Sequence, residues 1–168
     1  LFRSDIFLDS LPDADRGRVI DALRNRARDF DGFITHSRYY AEHMSTELSL
    51  PLDRFHQLPL GIDLAGHDGQ PRAASDPFTI GYFARLCPEK GLHLLVDAFG
   101  RFHAKHPRSR LRIGGYLGER DRLYFQHVRA QAAPLGAAVE FVERIDTHEQ
   151  KVEFLKSLDL LSVPTTYR

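Results

Sequence analysis

From residue 78 onward, short apolar runs alternate with longer segments whose apolar residues recur at helical spacing. Phe78–Phe83, Arg110–Ile113, Val139–Val142 and Leu160–Val163 read as strands, the last ended by Pro164. Gly91–Lys105, Glu119–Ala133 and His148–Leu158 read as helices. Leu92, Leu95, Val96, Phe99 and Phe102 fall on one side of the first of these. This alternation predicts βαβ units and therefore an α/β fold, a parallel sheet covered by helices on both faces. Such sheets bind ligands beyond the C-terminal ends of their strands. Arg85 and Lys90, the Gly114-Gly115-Tyr116-Leu117-Gly118 loop, Arg144-Ile145 and Pro164-Thr165 each follow a strand end, so the pattern gathers them on one edge of one sheet.

The turn after Phe83 carries the sharpest chemistry. A strand-to-helix turn with two cations suits a phosphate: the helix start offers backbone N–H groups and a partial positive charge. Arg85 presents a planar fork and Lys90 a point charge, while Gly91 lacks the side chain that would hold an anion off. The alternative is that both cations are solvated surface charges, the ordinary state of a single Arg or Lys. Gly114, Gly115 and Gly118 let backbone approach a ribose or phosphate, or else form an ordinary turn.

The first 63 residues have a looser rhythm. Pro12–Phe30 reads as a helix with Val19, Ile20, Leu23 and Ala27 on its apolar face. Gly32–Thr35 reads as a short strand, and Ser37 caps a helix that runs to about Leu48 and is ended by Pro51. Phe55–Leu60 is extended and Gly61-Ile62-Asp63 turns. Leu64–Pro77 is rich in Gly, Pro, Ala, Ser and Asp without apolar period, and reads as a linker.

Composition narrows the class. Lys plus Arg (23) balance Asp plus Glu (23), which argues against bulk nucleic-acid binding. The one cysteine, Cys87, cannot form an internal disulfide and fits a reducing compartment; no His or Asp pattern marks it as a nucleophile. No apolar run approaches the roughly 20 residues of a membrane span. His103 and His106 have helical spacing, but favourable charge at a helix end explains them better than metal ligation. The Arg-rich stretch Arg16–Arg28 is interleaved with Asp15 and Asp21 and reads as a solvated face, with contact to an anionic membrane as the lesser alternative. The chain starts at Leu1 rather than Met, as a piece of a longer polypeptide would.

Taken in order, these segments resemble the retaining glycosyltransferases of family 4, enzymes of the two-domain GT-B fold. Phe33-Ile34-Thr35-His36-Ser37 resembles the last strand and loop of the acceptor domain, and Pro59-Leu60-Gly61-Ile62-Asp63 the "pNGID" interdomain turn, with Leu60 where Asn is usual. Ile80-Gly81-Tyr82-Phe83-Ala84-Arg85-Leu86, then Glu89-Lys90-Gly91, resembles "vGRl…eKG". Leu111-Arg112-Ile113-Gly114-Gly115 is similar to "l.ivG.G", and Phe141-Val142-Glu143-Arg144-Ile145 stands where "flG.v" is expected. Asp159-Leu160-Leu161-Ser162-Val163-Pro164-Thr165 is similar to "aDv.v.PS".

The resemblance implies a partial GT-B architecture with Rossmann-like parallel sheets. Residues 1–63 would end an acceptor-side domain, 64–77 link, and 78–168 begin the nucleotide-sugar domain. It implies transfer of a hexose, with retention, from a UDP-, GDP- or ADP-linked donor to a saccharide, lipid or small-molecule acceptor, with no cofactor and no required metal. Arg85, Lys90 and Gly91 would hold the diphosphate, Gly114, Gly115, Arg144 and Ile145 the nucleoside, and Thr165 the donor loop; His36 and Ser37 would face the acceptor. For Arg144-Ile145 the plain alternative is an exposed Arg and a buried Ile, for Thr165 a simple turn, and for Ser37 a helix cap. The family's acidic pair, Glu-x7-Glu, is expected beyond Arg168, so this piece alone is expected to be inactive. The compartment implied is the cytoplasm, with peripheral contact at the inner membrane face as an addition. A non-catalytic nucleotide-binding module, or another GT-B enzyme such as a sugar-nucleotide epimerase, is the competing reading.

Overall fold

The computed structural model describes Leu8 and residues 11–69, 76–142 and 144–166. The chain divides into two compact units, Leu1–Asp63 and Leu64–Arg168.

In the first unit, helix α1 (Asp13–Ala27) has Asp13 and Asp15 in its first turn and Arg24 and Arg26 in its last, the arrangement that favours a helix dipole. It is shorter than its sequence pattern, and its buried residues are Ile20 and Ala27, Leu23 being exposed. Strand β1 (Phe33–Thr35), helix α2 (Arg38–Leu48) and strand β2 (Phe55–Gln57) make a parallel βαβ unit. Its register places Phe33 opposite Phe55, and their rings stack at 5.1 Å. The Ser37 side chain caps α2 by accepting from Tyr40 N at 3.2 Å.

The second unit holds a four-stranded parallel sheet of β3 (Thr79–Phe83), β4 (Arg110–Gly114), β5 (Val139–Phe141) and β6 (Leu160–Leu161), in the order β5-β4-β3-β6. Helices α3 (Leu92–Lys105) and α4 (Arg122–Ala132) connect β3 to β4 and β4 to β5. Helix α5 (His148–Lys156) then leads the chain back past β3 to β6. The strand order therefore reverses between β3 and β6.

Alternation along the strands sends side chains to opposite faces. Ile80, Tyr82, Leu111 and Ile113 join Leu92, Leu95, Val96 and Phe99 of α3 and Val128 and Ala132 of α4 in one core. On the other face Leu158 packs on Gly81, and Phe83 meets Phe154 of α5 at 5.6 Å between ring centroids. A capping box of Thr147 and Gln150 starts α5.

Two expectations need correcting. The last strand is two residues long rather than four, with both leucines half exposed at the sheet edge. Residues 64–69, which carry no apolar period, lie against α5: His148 Nε2 bonds Ala65 O at 2.7 Å, Lys156 Nζ pairs with Asp68 at 2.7 Å, and Gly66 sits over Val152. Backbone groups and charge hold this segment, which is why hydrophobic patterning does not reveal it. Residues 70–75 of the expected linker fall outside the described residues.

Candidate functional site

The loops that leave β3, β4 and β6 meet at the C-terminal end of the sheet, around the point where the strand order reverses. Each is fixed to its neighbour. The β3 loop begins under Tyr82, whose side chain is fully buried and whose hydroxyl donates to Arg85 O at 2.8 Å. Leu86 N donates to Tyr116 O of the β4 loop at 2.8 Å. A Cβ on Gly115, which has φ of 139°, would overlap Ala84 O. Only glycine permits both that conformation and that approach.

On the other side, a single turn of 3-10 helix at Pro88–Lys90 is bound to the β6 loop. Thr166 N donates to Glu89 O at 2.9 Å. Gly91 is left-handed, with φ of 67°, and a Cβ there would overlap Pro164 O. The room that the sequence reserves at Gly91 is thus filled by the β6 loop.

Arg85 is exposed and Lys90 half-buried within this braced turn. Cys87 is fully buried, and burial first, then the neighbouring Glu89, push its thiol pKa up. The Glu89 carboxyl lies below the usual carboxylate range, chiefly through its own backbone N–H and the Cys87 thiol, with Arg120 and Arg85 adding attraction. Its Oε2 is buried and has no hydrogen-bond partner among the described residues. Arg120, from the turn that follows the β4 glycine loop, thus joins the electrostatics of the site. The signal for it in the sequence is slight: an arginine two residues beyond Gly118.

At the start of α3 the second N–H is already taken: His93 N donates to the Tyr124 hydroxyl of α4 at 3.2 Å. Sequence reasoning placed an anion here and missed Tyr124, which lies 31 residues along the chain from His93.

The remaining candidates are more dispersed. Ile145 covers Gly114, where an added Cβ would meet its Cδ1 at 2.5 Å and Phe83 at 3.3 Å. Arg144 is exposed and forks onto Asp146 at 2.8 and 2.7 Å; Glu143 lies outside the described residues. Thr165 is exposed and its N–H closes a tight turn on Val163 O at 2.8 Å. His36 and Ser37 belong to the first unit, where His36 Nδ1 lies 3.1 Å from Leu58 O. His103 Nδ1 bonds Ser109 Oγ at 3.0 Å, and among the described residues no group of three or more His, Cys, Asp or Glu is placed to hold a metal. Among the described residues no helix is long and apolar enough to cross a membrane.

An open parallel sheet whose loops converge at a reversal of strand order defines a doubly wound α/β domain, in which ligands bind beyond the strand ends. The chain belongs to the glycosyl transferases group 1 family, which it matches over residues 67–167. No curated protein matches it significantly in sequence. Among solved structures, Anabaena HepE in complex with UDP and glucose is 19% identical, covers 88% of this chain and 42% of its own, and superposes with a TM-score of 0.70. The N-terminal domain of Candida albicans trehalose-6-phosphate phosphatase is 14% identical over 95% of this chain and 42% of its own, with a TM-score of 0.69. The C-terminal domain of the Francisella tularensis group 1 protein LpcC is 19% identical over 54% and 48%, with a TM-score of 0.51. The chain therefore has the α/β fold of GT-B glycosyltransferases, and it spans less than half the length of each of these structures.

Proposed function

We propose that this chain is the donor-binding portion of a retaining, family 4 hexosyltransferase that uses a nucleotide-diphosphate sugar. One observation carries the reading: Arg85 and Lys90 share a braced turn at the reversal of strand order, where open α/β sheets take their ligands. HepE was crystallised with UDP-glucose, which supports a nucleotide sugar as the ligand class.

As the bond from the sugar to the β-phosphate breaks, its electron pair passes to the phosphate oxygen. Arg85 and Lys90 stabilise that charge more than they stabilise the ground state. The acceptor hydroxyl attacks from the same face and passes its proton to the departing phosphate. Gly91 lets the turn close on the β6 loop, Gly114 and Gly115 admit the ribose, Arg144 and Ile145 flank the base, and Thr165 leads toward the sugar. His36 and Ser37 face the acceptor, which is a saccharide, a lipid or a small molecule. The setting is cytoplasmic, with peripheral membrane contact for a lipid acceptor.

Thermal unfolding of the whole protein with UDP, GDP and ADP tests the reading. A ligand at 100 times its dissociation constant adds about 2.7 kcal/mol of stability. A rise in midpoint with one of the three is expected; no rise with any overturns the donor-site assignment.

A further inference from the structure

Helix α4 grips one residue of α3, His93, by three of its four polar atoms. Tyr124 Oη lies 3.2 Å from His93 N and 3.0 Å from His93 Nδ1, and Gln131 Nε2 donates to His93 O at 3.0 Å. The Tyr124 ring stands edge-on to the imidazole at 5.7 Å. The Tyr124 oxygen accepts from the backbone N–H, and the hydroxyl pairs with Nδ1 as donor or acceptor according to the imidazole tautomer. The oxygen also takes the position at the start of α3 that an anion would otherwise occupy.

His93 is three residues beyond Lys90. The turn containing Lys90 is therefore bracketed: Glu89 O and Gly91 are held by Thr166 and Pro164 on one side, and His93 by Tyr124 and Gln131 on the other. A cation fixed in this way need not be ordered when its anion arrives.

We propose that Tyr124 is a positioning residue that seats the first turn of α3 and, through it, holds Lys90 in place for a diphosphate. This rests on the diphosphate role assigned to Lys90 above. The diphosphate is then gripped by side-chain cations, and the α3 dipole is already occupied.

The test compares wild type, Tyr124→Phe, Lys90→Ala and the double variant in the whole protein. Calorimetry measures binding of UDP, GDP or ADP, and of the matching nucleoside. Loss of the hydroxyl is expected to weaken diphosphate binding by about tenfold, to leave nucleoside binding unchanged, and to add nothing in the Lys90→Ala background. Equal loss for nucleoside and diphosphate, or an additive effect in the double variant, would make Tyr124 merely structural and overturn the proposal. If Lys90→Ala weakens binding but Tyr124→Phe does not, Tyr124 alone is wrong. If Lys90→Ala binds as wild type does, the clamp itself is wrong. Nitrogen-15 shifts of the His93 ring give an independent readout: a single tautomer fixed by the Tyr124 contact in wild type and a mixed population in Tyr124→Phe are expected, and unchanged shifts overturn the clasp.

Discussion

The α-carbon of Gly91 faces the carbonyl of Pro164 so closely that no side chain fits between them. These two residues join the loops of β3 and β6, the strands on either side of the reversal in strand order.

Gly91→Ala must therefore meet two costs, a left-handed backbone and an overlap with main-chain atoms. Gly69 provides the comparison, since it has the same φ of 67° but nothing among the described residues within 4 Å of its Cβ position. Gly69→Ala should lose about 1–2 kcal/mol from conformation alone, and Gly91→Ala more than that. Urea unfolding of both variants measures the difference. Equal losses would mean that the β6 loop yields without resistance.

Gly17 gives the opposite sign. It sits within α1 at ordinary helical dihedrals with open space around its Cβ position. Gly17→Ala should stabilise the protein by about 0.5–1 kcal/mol, because glycine sacrifices more backbone freedom in a helix than alanine does. A lower unfolding midpoint would contradict this.

Lys90→Ala and Arg85→Ala bear on the proposed chemistry. Removing one preorganised donor to a developing oxyanion typically costs about 2.7–4 kcal/mol of transition-state stabilisation. Turnover of the whole protein should fall at least tenfold in each variant, with little change in thermal midpoint. Arg85→Lys should recover only part of the loss if the planar fork matters. Steady-state kinetics separate these outcomes, and near-normal turnover in Lys90→Ala removes it from the mechanism.

How much of this could be read in advance varies with the physics involved. The α3 face and strands β3 and β4 follow from local periodicity, and the buried residues Leu92, Leu95, Val96 and Phe99 are those the spacing selects. Periodicity misleads for α1, where Leu23 has a core position but is 41% exposed. The site divides similarly. Arg85 and Lys90 stand out because charge in a strand-to-helix turn is a local signal. Tyr124, Glu89 and Arg120 do not stand out, since their roles arise from meetings between separate loops and helices. Gly91 and Gly115 were legible as glycines in loops, but what each makes room for, Pro164 and Ala84, is a tertiary fact.

Cys87 should be chemically quiet in the native protein. Its side chain is fully buried and its pKa is raised, so the reactive thiolate is scarce and shielded. Iodoacetamide at neutral pH should modify it slowly in buffer and rapidly in urea, as mass spectrometry would show. Fast native labelling would mean that the β3 loop opens readily.

The Glu140–Arg112 pair ties β5 to β4 and makes stability depend on acidity in a defined direction. Arg112 Nε and Nη2 reach the carboxylate at 2.7 and 3.2 Å, while Nη1 bonds Ser157 and the guanidinium lies 5.3 Å from the Phe154 ring centroid. The hydrogen bonds from Arg112 hold the Glu140 carboxyl below its ordinary value, against a smaller opposing effect of burial. A carboxyl depressed in the folded state binds its proton more readily in the unfolded chain. Its stabilisation is therefore complete above the unfolded pKa, about 4.3, and is lost as pH falls through the lower folded value. Glu140 is half exposed, so solvent limits the effect to about 1 kcal/mol or less. Glu140→Gln should lower stability slightly at pH 7, and the gap to wild type should close in urea titrations run below the carboxylate range. A gap that widens on acidification would show that the pair does not lower the Glu140 pKa.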